Sequence, residues 1–272
     1  MMPTNIPHIK VLESPISAVN MTTACEHIFE ALRNKRKGYI CVTGVHGVNE
    51  AFDHADFLEV LGGAYLVTPD GMPMVWLGWL NGQKQMDRVY GPDLMLEVCR
   101  QSVEKGFTHF FYGGAPGVAD LLKIKLTTLF PGLQVVGTYC PPYRALNAVE
   151  LEDLQQQVTA VKPDMIWVGL GTPKQERFVA SHLSLLDTTL LCGVGAAFDF
   201  HTNRVKQAPR WMQRSGLEWL YRTIQEPRRL FGRYFRGNSL FLWRLFLGLK
   251  PKHLSTSTST TSPTPNPIHH EQ

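Results

Sequence analysis

The sequence predicts an α/β fold, a mainly parallel sheet with helices on both faces, followed by a basic helical appendage. Three observations carry this. Six short apolar runs are bounded by Gly or Pro, and the stretches between them repeat apolar residues at helical spacing. The third is charge: residues 203–252 hold twelve Lys/Arg against two acids, net +10, in a chain of 272 residues whose total is +4. The rest of the chain therefore sums to −6.

Taken in order, Met21, Ala24, Ile28 and Leu32 place a helix over roughly residues 17–35. The apolar runs are Tyr39–Val45, Ala64–Thr68, His109–Tyr112, Leu133–Tyr139, Met165–Leu170 and Leu190–Val194, each the length of a buried strand. A helix is expected over Pro73–Leu80. Val118, Leu121, Leu122, Lys125 and Leu129 fall on successive turns of another, which Pro131-Gly132 stops; Leu151, Leu154, Val158 and Val161 repeat the pattern before Pro163. This β-α-β-α order is that of a Rossmann-like, doubly wound core. The expected organisation is a core over 1–202, a basic aromatic appendage over 203–252, and a disordered, Ser/Thr/Pro-rich tail over 253–272.

Composition removes several classes. The five cysteines (Cys25, Cys41, Cys99, Cys140, Cys192) are scattered and form no Cys-x-x-Cys pair, as expected of buried reduced thiols and not of a zinc site. The N-terminus lacks a basic region followed by an apolar one, and no uncharged run reaches the ~18–20 residues that span a bilayer. The expectation is a cytoplasmic protein able to lie on the inner face of the membrane. There is no Gly-x-x-x-x-Gly-Lys-Ser/Thr loop and no Gly-x-Gly-x-x-Gly opening the first helix, which argues against an ATPase and a dehydrogenase.

In a doubly wound sheet, ligands bind beyond the carboxyl ends of the strands. Four predicted strands end in unusual sequence: Thr68-Pro69-Asp70-Gly71, Tyr112-Gly113-Gly114, Gly169-Leu170-Gly171-Thr172, and Gly193-Val194-Gly195 running on to Asp199. Glycines there allow close backbone approach, and the helix N-termini that follow favour anions. Several such loops on one edge point to a nucleotide or sugar-phosphate, with Gly113, Gly114, Gly169, Gly171, Thr172, Gly195 and Asp199 as candidate contacts. Asp70 is the acid that stands out, alone in an uncharged stretch: either the cap of a turn or a general base. His46, after the first predicted strand, is either structural or part of the same edge. Arg88 and Asp93 are either a solvated ion pair or site residues, and Asp93 also suits a helix N-cap.

Taken together, these blocks resemble the WecG/TagA/CpsF family of bacterial glycosyltransferases over roughly residues 20–235. The resemblance rests on Thr68–Pro73, Arg88–Leu94, Gly169–Glu176 and the block from Gly193 to Arg229, where Gly216–Arg222 and Glu226–Arg229 are the most diagnostic. It implies transfer of a sugar, typically N-acetylmannosamine, from a UDP donor to an undecaprenyl-diphosphate-linked sugar, with inversion and no required metal or other cofactor. It further implies Asp70 as base, with Arg88 and Gln175 beside the reacting sugars. The family usually carries Thr-x-Asn at the end of the first strand, where Gly44-Val45-His46 stands here.

The chain has no Asp-x-Asp to hold a metal, so arginines and helix N-termini are expected to offset the charge on the departing UDP. Arg214, Arg222, Arg228 and Arg229 are the candidates for the diphosphates. Arg233–Lys252, with Phe235, Phe241 and Trp243, is expected to rest on anionic lipid, and Trp211 and Trp219 are candidates to complete the core. Two other readings stay open. One is a non-catalytic nucleotide-sugar-binding protein; the other is a nucleic-acid-binding protein, which leaves the glycine-rich strand ends unexplained. Self-association is open as well.

Overall fold

The computed structural model describes residues 6–251 and 253; the side chains of Arg229 and Arg233 lie outside the described residues, as does the expected disordered tail apart from His253. The elements are β1 (His8–Val11), β2 (Ser14–Ser17), α1 (Met21–Arg33), β3 (Gly38–Thr43), α2 (Val45–Asp53), α3 (Ala55–Gly63), β4 (Leu66–Pro69) and α4 (Met72–Leu80). They continue through α5 (Gly91–Lys105), β5 (Thr108–Gly113), α6 (Val118–Leu129), β6 (Gln134–Tyr139), α7 (Ala148–Val161), β7 (Met165–Gly169), α8 (Lys174–His182) and β8 (Leu190–Gly193). The chain closes with α9 (Ala197–His201), α10 (Arg210–Arg214), α11 (Glu218–Gln225) and α12 (Pro227–Phe246).

Six strands form one sheet in the order β4-β3-β8-β7-β5-β6, and every neighbouring pair is parallel. The Rossmann-like reading is correct. Because side chains alternate across a strand, Ile40 and Val42 face one core and Tyr39 and Cys41 the other. The first core takes α1, α5 and α6 through Ile28, Leu94, Val98 and Leu122. The second takes α2, α3, α7 and α8 through Val48, Leu61, Val158 and Val179. With both faces covered, the strands need no polar side, which is why they read as unbroken apolar runs.

Several expectations need correction. The first helix starts at Met21, because Asn20 caps it: its side chain accepts from Thr23 N, and the Thr23 hydroxyl in turn accepts from Asn20 N. Residues 8–17 form an antiparallel hairpin that the sequence reading passed over. The run Tyr39–Val45 is strand only to Thr43; Val45 opens α2, also unforeseen. Asp93 lies in the first turn of α5, but Tyr90 holds the N-cap position. Four cysteines are buried, as expected, whereas Cys140 is exposed on the loop after β6.

The appendage is docked along the core. Arg244 is buried: it ion-pairs with Asp53, donates to Asn49 Oδ1 at 3.1 Å, and lies 4.1 Å from the Phe52 ring centroid. Asn49 Nδ2 donates to Gly237 O at 2.8 Å, so α12 is held to α2 at two levels. Leu230 and Phe241 are buried, which removes Phe241 and Arg244 from the expected lipid face. Trp211 is exposed and does not complete the core, while Trp219 is half-buried.

Arg244→Ala removes hydrogen bonds from a charged group as well as the contact with Phe52, and is expected to lower the unfolding free energy by about 2–3 kcal/mol. Urea denaturation measures this. Limited proteolysis should then cut within α12 before the core.

Candidate active site

The tips of β4, β3 and β8 lie side by side, and the site forms there. Asp70 follows β4 directly, and its N–H donates to Thr43 O at 3.0 Å, locking it to the end of β3. Two helices begin against its carboxyl. Gly44 is the N-cap of α2, and a Cβ built there would lie 3.8 Å from Asp70 Oδ2. Gly91, the first residue of α5, donates its N–H to Asp70 Oδ1 at 3.4 Å. A larger residue at Gly91 would press on the Val194 carbonyl, so glycine brings α5 close to the tip of β8.

Arg88 spans the site. Its Nε donates to Asp70 O at 2.8 Å, one terminal nitrogen to Gln213 Oε1 at 3.4 Å, and the other ion-pairs with Glu218. Tyr90 donates its hydroxyl to the second oxygen of Glu218 at 2.6 Å and stacks under Arg88, whose Cζ is 4.0 Å from the ring centroid. The expected alternative of a solvated Arg88–Asp93 pair is therefore replaced by a half-buried pair with Glu218, a residue of α11.

Loss of hydration is the largest influence on Asp70, raising its carboxyl to about 7; Arg88 opposes this, Glu218 adds to it, and Gly91 N–H and Arg222 oppose it. Burial, with Glu218 beside it, pushes the Tyr90 hydroxyl well above its usual range, so it stays a donor. Arg222, also on α11, lies with Cζ 5.5 Å from the Phe200 ring centroid. Its Nε is buried without a hydrogen-bond partner among the described residues.

The remaining predicted residues fall elsewhere. His46 is exposed in the first turn of α2. Gln175 is buried and turned inward: its Oε1 accepts from Gly171 N at 3.1 Å and Gly195 N at 2.7 Å, and its Nε2 donates to Glu176 at 3.1 Å. It ties the loops after β7 and β8 together. Thr172 supports the same brace by donating to Glu176 at 2.8 Å, and burial raises the Glu176 carboxyl. The amides of Gly171 and Gly195 are thus spent within the protein, and Gly114 N donates to Gly169 O at 3.1 Å. A Cβ on Gly113 would come within 2.6 Å of that carbonyl, and one on Gly169 within 3.0 Å of the Phe198 ring, so both serve close packing. Asp199, in the first turn of α9, faces Arg204 at 3.6 Å. Arg214 and Arg228 are exposed; the side chain of Arg229 lies outside the described residues.

Tyr90, Gln213 and Glu218 were missed as site residues. Glu218 carried a signal, being one of two acids among twelve basic residues, in the block Gly216–Arg222. Among the described residues, no group of three His, Cys, Asp or Glu is disposed to hold a metal ion.

Comparison with known proteins identifies the family. Over 210 residues the chain is 30% identical to a protein of Bacillus spizizenii, covering 77% of this chain and 80% of that one. A Bacillus subtilis protein is 31% identical over 182 residues, 66% of this chain and 68% of its own. One from Staphylococcus aureus strain MW2 is 24% identical over 246 residues, covering 89% and 93%. All three are described as N-acetylglucosaminyldiphosphoundecaprenol N-acetyl-beta-D-mannosaminyltransferases. The model of the WecG/TagA/CpsF glycosyl transferase family matches residues 9–254, from the first hairpin through α12, and the chain belongs to that family.

Proposed function

We propose that this enzyme transfers an N-acetylhexosamine, N-acetylmannosamine by analogy with its relatives, from a UDP donor to a polyprenyl-diphosphate-linked sugar during surface-glycan or exopolysaccharide assembly. The observation that carries the mechanism is Asp70: a half-buried carboxyl at a strand tip, raised to about 7, with its backbone fixed by Thr43 and Arg88. A base with that affinity for protons takes one readily and is substantially ionised near neutrality. In a single displacement, the acceptor oxygen attacks the anomeric carbon and the bond to the UDP oxygen breaks. Asp70 takes the hydroxyl proton, and the configuration inverts. Negative charge appears on the leaving diphosphate. Arg222, with its unpartnered Nε, and the N-termini of α2 and α5 are suited to offset it. The reaction then needs no metal cofactor. Gln175 and Glu176 act by holding the loops after β7 and β8, not by touching sugar.

The acceptor is a lipid, and α12 offers a surface for the membrane. No helix among the described residues is long and apolar enough to cross a bilayer. Phe231, Phe235, Leu242 and Phe246 are all exposed and recur on one stripe of α12, with Trp243 beside them and Arg228 and Arg236 flanking. Phe246 is 87% exposed, a cost in water that insertion at the headgroup boundary would remove. Contact with an anionic inner leaflet follows from this reading.

Asp70→Asn is expected to fold and bind UDP but to lose roughly 10²- to 10⁴-fold in turnover, measured with UDP-sugar and a short-chain polyprenyl-diphosphate sugar. Because the ionised form is the base and burial raises its pKa, wild-type kcat/KM should fall about tenfold per pH unit below about 7, in EDTA as in its absence. Near-wild-type turnover of the variant rejects Asp70 as base. Replacing Phe235 and Phe246 together with Ser should weaken sedimentation with phosphatidylglycerol vesicles by about tenfold or more while leaving UDP binding intact. Unchanged sedimentation would place the membrane contact elsewhere.

A further inference from the structure

Glu218 has no part in the proton transfer described above, although it occupies the centre of the site's polar network. It is half-buried, and each of its carboxylate oxygens has a different partner: Arg88 on one, the Tyr90 hydroxyl on the other. Besides the bond from Asp70 N–H to Thr43 O, Asp70 is held through Arg88 and through the residue that follows Tyr90. Arg88 Nε binds the Asp70 carbonyl at 2.8 Å, and Tyr90 is the N-cap residue directly before Gly91, whose N–H reaches Asp70 Oδ1.

We infer that Glu218 is a positioning residue for transfer: seated from α11, it fixes Arg88 and Tyr90 and through them the backbone and carboxyl of Asp70. This rests on the reading of Asp70 as the base. The appendage thereby contributes to the geometry of the reacting group. A mere tether between α11 and the core would require only one of the two contacts; here one falls on Arg88, which binds Asp70, and the other on Tyr90, the neighbour of Gly91, which also binds it. The arrangement also divides labour between two carboxyl groups. Glu218 has a cation and a phenol to neutralise it; Asp70 has a backbone amide at 3.4 Å and a desolvated setting. The first is occupied on both oxygens as a clamp, while the second is left to exchange its proton.

The charged and titratable groups around Asp70 set the sign of the test. Arg88 and Tyr90 precede α5, Asp93 lies in its first turn, and Glu218 and Arg222 come from α11; His46, in the first turn of α2, is exposed and is not among the main influences on Asp70. Replacing Glu218 by Gln removes a negative charge near Asp70 and leaves the Arg88 cation less compensated. Both changes favour the ionised carboxylate.

The experiment compares full-length wild type, Glu218→Gln and Asp70→Asn in kcat and kcat/KM against pH, with thermal unfolding and UDP binding measured alongside. For Glu218→Gln, kcat is expected to fall roughly 10- to 100-fold, as a small misplacement of a reacting group costs. Donor KM should change little, and the acid limb should move to lower pH. Wild-type kcat overturns the inference, and so does a reduced kcat with the limb unmoved or raised, which would make Glu218 a tether. Failure of the base reading is distinct: Asp70→Asn would then stay active. Should Glu218→Gln fail to fold, Tyr90→Phe decides. It keeps the ring under Arg88 and removes only the hydroxyl bond, so a several-fold loss in kcat at unchanged KM supports the clamp and wild-type kcat overturns it.

Discussion

The Arg88 guanidinium, held between the Asp70 carbonyl and the Glu218 carboxylate, is the interaction on which the site depends. It joins three stretches far apart in sequence: the tip of β4, the segment entering α5, and α11 of the appendage. A planar cation with five donors can serve several acceptors in fixed directions, which a lysine cannot. Half-burial makes the geometry consequential, since a buried charge left without its partner is costly. The core and the basic segment therefore meet at Arg88.

Around that contact the sheet supplies rigidity. Parallel strands bring the ends of β3, β4 and β8 to one edge, and short connections place helix N-termini there. Gln175 then closes the neighbouring edge by accepting from two glycine amides at once. The second anchor of the appendage, Arg244 on Asp53 and Asn49, lies on α2, whose N-terminus faces Asp70. The helix that carries the apolar stripe is thus fastened to an element of the site itself.

Much of the fold was legible in the chain. Unbroken apolar strands such as Ile40–Val42 and Met165–Val168 report burial on both faces, and helical periodicity at Val118 and Leu122 or Leu154 and Val158 reports the covering layers. The hairpin over residues 8–17 was not legible, because a four-residue strand has too few alternations to stand out. Of the site, Asp70 and Arg88 were visible through their unusual surroundings and the family resemblance. The glycines were visible too, but several of them, Gly113 and Gly169 among them, answer to close packing. A glycine signals only that something approaches the backbone; it does not say whether a ligand or a neighbouring strand does so.

The sequence by itself determined the α/β alternation, the position of Asp70 at a strand tip and the existence of a basic, aromatic final segment, since each is written in local pattern or composition. Only the tertiary structure decided how that segment's residues divide. Arg244 and Phe241 turn inward, Phe231, Phe235 and Phe246 turn outward, and Glu218 reaches across to Arg88 and Tyr90. Composition counts charges and rings, whereas their roles depend on which face of a helix meets the core and which partners, more than a hundred residues away, wait there.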